Sequence, residues 1–283
     1  MIEPLQSNDT LLADIRAWQD STEQVRLWWL GQSGFLLQSH GEHFLFDPYL
    51  SDSLTRKYAQ TDKPHIRMTA IAIDPAQLNM IDWVTSTHNH TDHLDADTLL
   101  PIFEASPSSK LLVPAANLEF ALDRLKCDRE RCIAVAVNQP FRCGQFKVTA
   151  IPAAHESLDQ DPQGRFPYVG YVVTCGDFTV YHSGDTIRYE EHLDYLRPFD
   201  IDLAILPING RAPERRVSGN LYGAEAAQLA HDMKARCVIP CHYDMFTFNT
   251  ASPDEFVASC ERLGQDYTIL KCGEAWTWNG RKH

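Results

Sequence analysis

Residues 87–93 carry the densest group of side chains that could do chemistry. Their sequence is T-H-N-H-T-D-H, which places His88, His90, Asp92 and His93 on one short segment. In an extended loop His88 and His90 point the same way, because side-chain direction repeats every two residues. The adjacent Asp92 and His93 must then diverge, so the spacing favours two neighbouring metal ions over one. The alternative is a histidine-rich surface loop, since the chain has 12 His in 283 residues.

Three further metal-binding side chains each follow an apolar run. They are His155, Asp185 and His242, at the ends of the runs 148–154, 178–184 and 237–241. A lone histidine or aspartate at a strand end is weak support for a site, but sheets with helical crossovers gather their chemistry at strand ends along one edge. The expected ligands are His88, His90 and His155 for one ion and Asp92, His93 and His242 for the other, with the Asp185 carboxylate bridging both.

This ligand pattern predicts hydrolysis. Two ions roughly 3.5 to 4 Å apart can share a hydroxide, lower its pKa and clamp the attacked group from two sides. We expect such a metal-bridging hydroxide to be the nucleophile, with Asp92 and Asp185 orienting it. Asp47, at the end of another predicted strand, could hold a ligand histidine from behind through a hydrogen bond. Its alternative role is that of a turn residue before Pro48.

Hydrophobic periodicity places these residues on a repeated pattern of strands and helices. The predicted strands are 25–30, 34–38, 43–46, 81–86, 111–113, 132–137, 145–151, 168–174, 178–182, 201–207 and 236–241, and the predicted helices are 9–20, 97–105, 115–125, 223–234 and 253–263. Residues 51–80 are polar and irregular, which predicts a long loop. Strands followed by helix alternation, twice in succession, indicate an α/β fold. No Gly-, Pro- or Ser-rich linker divides the sequence, so we predict a single domain over residues 1–283.

The composition excludes several classes of function. The formal net charge of -13 argues against non-specific binding of nucleic acid or of anionic membranes, which requires a broad basic face. The N-terminal residues show no secretory signal, and no stretch is long and apolar enough to span a membrane, so we expect a soluble, cytoplasmic protein. The eight cysteines form no C-x-x-C pair, which indicates reduced thiols in the core. A homo-oligomer is compatible with all of this.

The order of these motifs resembles the metallo-β-lactamase superfamily. The resemblance rests on H-x-H-x-D-H at 88–93, the later His155, G-D-T at 184–186 and C-H at 241–242. It implies a four-layer αββα sandwich with the two-metal site at one edge. The L-ascorbate-6-phosphate lactonase branch is the most similar, through residues 28–31, 181–185 and 238–244. Residues 153–156 are also similar to the N-acylphosphatidylethanolamine phospholipase D branch.

The metal remains open between zinc and manganese, with iron as a further option. Nitrogen and oxygen ligands without thiolate suit all three. The resemblance to the lactonases implies manganese, whereas the full histidine set favours zinc. We therefore expect two divalent ions of one of these elements.

The substrate should contact the loops around the metals. Arg188 and the loop 207–221, which contains Asn209, Arg211, Arg215 and Arg216, could bind an anionic substrate, because guanidinium groups match phosphate and carboxylate oxygens. Arginines in a polar loop are more often simply solvated. Phe166 and Tyr168 could flank a ring or an acyl chain, or they could begin the core face of the next strand.

Three functions compete at this point. The first is hydrolysis of a small anionic, phosphorylated lactone or ester, and the second is a phosphodiesterase. The third is a non-enzymatic, metal-stabilised scaffold or sensor, since a fold does not determine a function. The expected partner is a small anionic substrate, with no nucleic acid and no membrane.

Overall fold

The computed structural model describes residues 1–19, 21, 24–215 and 218–281, and it contains two β-sheets. The first sheet has the strand order β13-β1-β2-β3-β4-β5-β6. Its strands are β1 (Val25–Gly31), β2 (Gly34–Ser39), β3 (Glu42–Phe46), β4 (Trp83–Thr85), β5 (Lys110–Pro114), β6 (Cys132–Val135) and β13 (Ala275–Trp278). The pairs from β13 to β3 are antiparallel, and those from β3 to β6 are parallel.

The second sheet has the order β12-β11-β10-β9-β8-β7. Its strands are β7 (Phe141–Cys143), β8 (Phe146–Pro152), β9 (Val169–Cys175), β10 (Phe178–His182), β11 (Leu203–Pro207) and β12 (Cys237–Cys241). It repeats the design of the first sheet, because β7 to β10 pair antiparallel and β10 to β12 pair parallel.

The helices of the described chain are α1 (Asn8–Ala17), α2 (Ser53–Tyr58), α3 (Ala96–Ala105), α4 (Leu118–Leu125), α5 (His192–Leu196), α6 (Gly223–Asp232) and α7 (Asp254–Leu263). They flank the two sheets, except that α2 packs in a separate cluster with Tyr49, Met245 and Phe246. Within the described residues no helix is long and apolar enough to cross a membrane.

Strand β1 shows how the layers form. Leu27 and Trp29 pack into the cluster between the two sheets, whereas the alternating Trp28 and Leu30 pack against the helices of the first sheet. Side chains of a strand alternate between its faces, so the continuous apolar run 27–30 must be covered on both sides. This confirms the predicted four-layer α/β sandwich. The prediction of one domain over residues 1–283 stays a prediction.

Several predicted boundaries needed correction. The region 51–80 is not wholly irregular, because it contains α2 and a short 3-10 helix at Pro75–Gln77. The predicted helix 115–125 begins as a 3-10 turn, and the predicted helix 9–20 ends at Ala17, with residue 20 outside the described residues. Strands β7 and β13 and helix α5 were missed. All three are short. Strand β13 pairs with β1 from the far end of the chain, whereas β7 forms a tight hairpin with β8.

Candidate metal centre

The T-H-N-H-T-D-H loop leaves β4 and turns into α3 over a short, firmly held path. The carbonyl of His90 accepts from the amide of His93 at 3.1 Å and from that of Leu94 at 2.9 Å. Arg124, in the last turn of α4, donates from Nη1 to the carbonyls of Asn89 (2.6 Å) and Leu94 (3.1 Å). The loop therefore presents its side chains from a fixed backbone.

All seven predicted ligands converge at one end of the two sheets. Their ligand atoms form two groups, one of His88, His90, His155 and Asp185 and one of Asp92, His93 and His242, each spanning no more than 4.8 Å. Asp185 lies between the groups. Its Oδ1 is 3.3 Å from Nε2 of His93, and its Oδ2 is 3.2 Å from Nε2 of His242 and 3.6 Å from Nε2 of His155. This is the division that the loop spacing predicts.

Unpaired polar atoms at this point fit bound cations. Nε2 of His88 is buried and has no hydrogen-bond partner among the described residues. Nε2 of His93 and Oδ1 of Asp185 are also buried without a well-formed hydrogen bond there, although the two atoms lie 3.3 Å apart as an ion pair. An unsatisfied buried polar group costs free energy, and native proteins rarely keep one without an ion, water or function. Two imidazole nitrogens and a carboxylate oxygen are donors that suit zinc, manganese or iron.

The charges of the two groups differ. Burial lowers the pKa of His88 and His155, and it lowers that of His90 to about 4, so these imidazoles are neutral, which is the form that binds metals. Burial also opposes a charge on His93 and His242. There Asp185 and Asp92 outweigh it and raise both pKa values, that of His242 to about 9. The carboxylates thus favour positive charge here, as protons on the imidazoles or as a bound cation.

In two of the histidines, a hydrogen bond from Nδ1 to a fixed acceptor orients the imidazole ring. Nδ1 of His93 donates to Oδ2 of Asp47 at 2.7 Å, and Nδ1 of His155 donates to the carbonyl of Gly219 at 2.9 Å. Each bond leaves Nε2 as the free nitrogen facing the site, the arrangement expected of metal-binding histidines. The carboxylate of Asp47 is fully buried and also accepts from Thr85 and Thr87. The geometry is the one predicted for Asp47 as a support behind a ligand.

Gln32 contacts the site although the residue patterns did not single it out. Its Nε2 lies 2.8 Å from Oδ2 of Asp92 and 3.1 Å from Nε2 of His242, and its carbonyl accepts from the amide of His242 at 3.1 Å. It occupies the turn between β1 and β2 with φ 50°. The turn sequence G-Q-S-G at 31–34 was the available signal, because glycines flank residues held in unusual conformations.

Left-handed backbone conformations cluster at these strand ends. Three of the non-glycine residues with positive φ lie here, namely Gln32, Asp47 and His242 with values of 50°, 35° and 62°, and Gly184 has φ +61° beside Asp185. Such conformations cost roughly 1–3 kcal/mol each and collect at functional sites. Here they turn each strand end sharply enough to direct its side chain into the metal centre.

A cavity of about 320 Å³ opens beside the ligands. His90, Asp92, His155, Asp185 and His242 form its floor, and its walls include Lys57, Tyr58, His65, Asn89, Arg124, Ser218, Asn220, Phe246, Phe248 and Asn249. Two cations and several aromatic rings therefore line the same cavity as the candidate ligands. Ser218 and Asn220 belong to the predicted loop 207–221, whereas the sequence did not indicate Arg124 or the wall residues from the region 51–80 and from residues 245–249.

The predicted substrate arginines do not line this cavity. Arg188 pairs with Asp232 at 2.6 Å, and Arg211 forms two 2.6 Å bonds with Glu225. Arg215 donates to the carbonyl of Asn209, and Arg216 lies outside the described residues. The expectation that this loop presents guanidinium groups to substrate is corrected for the three described arginines, because carboxylates and carbonyls of the protein occupy them.

The other predicted substrate residues have different surroundings. Asn209 is buried and bonds to Asn249 (2.9 Å) and Asn220 (3.0 Å), so it supports two residues of the cavity wall. Phe166 packs against the core and lines a separate cavity with Tyr195.

Tyr168 lies next to the predicted ligands themselves. Its ring centroid is 5.3 Å from that of His88 and 5.6 Å from that of His155. The ring packs on the imidazoles without lining the cavity.

The fold and site agree with a known family. The model of the beta-lactamase superfamily domain matches residues 42–243, a range that includes all seven predicted ligands. The chain belongs to the beta-lactamase superfamily. A metal-dependent hydrolase from Rubrobacter xylanophilus is 29% identical, over 90% of this chain and 98% of that protein. The "Probable L-ascorbate-6-phosphate lactonase UlaG" of Escherichia coli is 24% identical, over 89% of this chain and 80% of that protein.

Solved structures show the same fold. The metallo hydrolase Igni18 from Ignicoccus hospitalis superposes with a TM-score of 0.66 at 21% identity, over 91% of this chain and all of that one. Family and relatives together identify the chain as a metal-dependent hydrolase, which places it among enzymes and not among metal-stabilised scaffolds.

Proposed function

We propose that the protein hydrolyses a small anionic lactone or ester at a centre of two divalent ions. If the substrate is a lactone, its anionic group is a phosphate. The proposed ligands are the two groups His88, His90, His155, Asp185 and Asp92, His93, His242. The observation that carries the proposal is the grouping of these seven side chains, in which buried ligand atoms of His88, His93 and Asp185 lack well-formed hydrogen bonds among the described residues. The similarity to the UlaG lactonase supports the choice of a lactone or ester.

The ions and the protein have separate tasks. When bound, two divalent ions generate a nucleophile by lowering the pKa of water and polarise the attacked oxygen. The zinc or manganese assignment rests on the nitrogen and oxygen donors, with iron as the third option.

Asp92 is the carboxylate best placed to handle the water proton. Its side chain is 15% exposed and lines the cavity, whereas that of Asp185 is 4% exposed. The 2.8 Å bond from Gln32 limits rotation of the Asp92 carboxylate. Asp92 can take a proton from the attacking water and return it to the leaving oxygen, which yields a carboxylic acid and an alcohol. Asp185, between the two ligand groups, keeps both in register.

Metal content and turnover test the proposal together. Purified protein reconstituted with zinc, manganese or iron should hydrolyse members of a panel of lactones and carboxylic esters. His88→Ala and His242→Ala should each lose at least one ion and most of the activity. His231→Ala is the matched control, because this histidine is exposed near the end of α6. Full metal content and full turnover in both ligand variants would refute the assignment.

A phosphodiesterase is the second candidate, and the cavity wall favours it in one respect. Lys57 and Arg124 line the cavity beside the metal ligands, where cations suit phosphate oxygens. Phosphodiesters therefore belong in the same panel. Faster turnover of phosphodiesters than of any lactone or ester would replace the first candidate by the second.

A further inference from the structure

Part of the wall of the cavity beside the candidate metal ligands is built from aromatic side chains. Tyr58 stacks on His65 at 4.2 Å with an interplanar angle of 21°, and His65 meets Phe246 (5.1 Å) and Phe248 (4.5 Å) edge to face. All four line the cavity, and we call them the aromatic wall. Tyr58, His65 and Phe248 remain partly exposed. Contact among their rings is favourable, but the surface of a soluble protein usually carries few clustered aromatic side chains.

The aromatic wall is anchored from behind, so its shape is set before a ligand arrives. The hydroxyl of Thr55 donates to the carbonyl of His65 at 2.7 Å, and the ring of Phe246 packs on that of Tyr49 at 5.8 Å. Preorganised apolar surface gains affinity, because little side-chain freedom is lost on binding.

Two cations, Arg124 and Lys57, border the same cavity. Among the described residues, neither Arg124 nor Lys57 forms an ion pair, whereas Arg188 and Arg211 each meet a carboxylate of the protein. Asp95 acts on Arg124 electrostatically, but its Oδ2 accepts from Ser51 and Thr98.

Nη1 of Arg124 is fixed by two carbonyls of the metal loop, and Phe120 lies 4.5 Å below its guanidinium. These contacts leave other N–H groups of the guanidinium without a protein partner in the described chain.

We propose that the substrate is an aryl or similarly flat apolar compound that carries an anionic group and has its scissile bond between the two. The aromatic wall packs on the flat group, and Arg124 with Lys57 binds the anion. A cavity of about 320 Å³ holds a single ring with a short chain, near the lower end of ligand sites. This inference rests on the proposed hydrolase function, which it makes more specific.

Binding of probes that contain no ester or lactone bond tests the inference separately from ester hydrolysis, provided that the amide of N-benzoylglycine is shown to stay intact during the measurement. The probes are N-benzoylglycine (ring and carboxylate), acetate (carboxylate alone) and benzyl alcohol (ring alone), measured by calorimetry on the metal-loaded protein. We expect N-benzoylglycine to bind at least about tenfold more tightly than either half, since both contacts then act on one molecule. Equal affinity for acetate and N-benzoylglycine would overturn the role of the aromatic wall.

Substitutions assign each contact. Arg124→Gln and Lys57→Gln should each weaken N-benzoylglycine by roughly tenfold and leave benzyl alcohol unchanged. Lys57 is exposed, so Lys57→Gln should leave the fold intact even if Arg124→Gln disrupts it. Phe248→Ala should weaken both ring-containing probes by roughly threefold to tenfold and leave acetate unchanged.

Matched controls exist for both kinds of residue. Arg131 also donates from Nη1 to two carbonyls (2.7 and 2.6 Å) and lies over a phenylalanine, but it does not line the cavity, so Arg131→Gln should change nothing. Phe199 is half-buried against the core, and Phe199→Ala is the control for Phe248.

The outcomes separate this inference from the proposed function. Tight, Arg124-dependent binding of N-benzoylglycine without hydrolysis of any ester would support the inference and refute the hydrolytic substrate class. Hydrolysis of small neutral lactones, unaffected by all three substitutions, would overturn the inference and leave the hydrolase intact. Carboxylate binding that is lost with the metals but insensitive to Arg124 and Lys57 would also overturn it, because the ions would then hold the anion.

Discussion

Asp47→Asn tests whether the residue behind His93 controls a metal site. Oδ2 of Asp47 accepts from Nδ1 of His93 at 2.7 Å, from the amide of Thr87 at 3.1 Å and from the Thr87 hydroxyl. The Thr87 amide can only donate, so the asparagine must place its oxygen at this position. Its nitrogen then faces the hydroxyl of Thr85, which can rotate to accept. The geometry survives, and only the negative charge is lost.

The expected magnitude follows from that loss of charge. A hydrogen bond to a charged group contributes about 1.5–3 kcal/mol and a neutral one about 1 kcal/mol, so His93 loses roughly 1 kcal/mol of support. That difference lowers the affinity of the ion held by Asp92, His93 and His242 by roughly fivefold to tenfold. The other ion should be unaffected. Asparagine also tolerates the φ of 35° at this position, so backbone strain does not confound the result.

Competition with a chelator, followed by metal analysis, measures the two affinities separately. On titration with the chelator, Asp47→Asn should lose one ion at a lower chelator concentration than the wild type does, and it should retain the second ion. Asp202→Asn is the control, because Asp202 is equally buried and accepts from the Thr179 amide (2.9 Å) far from the ligands in the fold's second sheet. Unchanged affinity for both ions, or selective loss of the ion at His88, would refute this account of Asp47.

Three other predictions concern the supports of the site and the pH dependence of stability. Gln32→Asn shortens the side chain that donates to Asp92 at 2.8 Å, and chelator titration should show metal affinity reduced by about tenfold. Gly184→Ala places a Cβ 2.7 Å from the side chain of Thr87 at φ +61°, so urea denaturation should show a loss of roughly 1–3 kcal/mol, and unchanged stability would contradict the clash. Burial, with a smaller effect of Arg188, lowers the pKa of His192 to about 3. Below pH 6.5 the unfolded state therefore binds the His192 proton more readily than the folded state does. As the pH is lowered from 6.5 towards 3, the free energy of unfolding should decrease by up to about 1.4 kcal/mol per pH unit from this residue, and His192→Asn should flatten that slope.

Most of the strands, and the grouping of the candidate metal ligands, were predictable because both depend on local order. Strand β10, for example, was predicted at its observed limits, since residues 178–182 are buried at every position and paired on both sides. The H-x-H-x-D-H spacing is likewise a property of one loop. Helix α2 was not predictable in this way. It has six residues, and Leu54 is held through packing near Met245 and Phe246 and through the Tyr49 hydroxyl, contacts that no local pattern contains.

The contacts of an arginine side chain depend on which carboxylates the fold brings near it. Arg211 lies only 14 residues from Glu225, yet the two meet because the loop folds back on the start of α6. Arg124 belongs to a helix whose sequence gives no sign of a site, and the fold brings the metal loop to it. Several described arginines, such as Arg188 and Arg211, pair with a carboxylate of the protein, whereas Arg124 and Lys57, the described lysine and arginine that line the cavity, do not. An arginine and a lysine beside one cavity, both without an ion pair in the described chain, therefore mark the place where an anion from outside can bind, and this is the physical ground for looking for the substrate there.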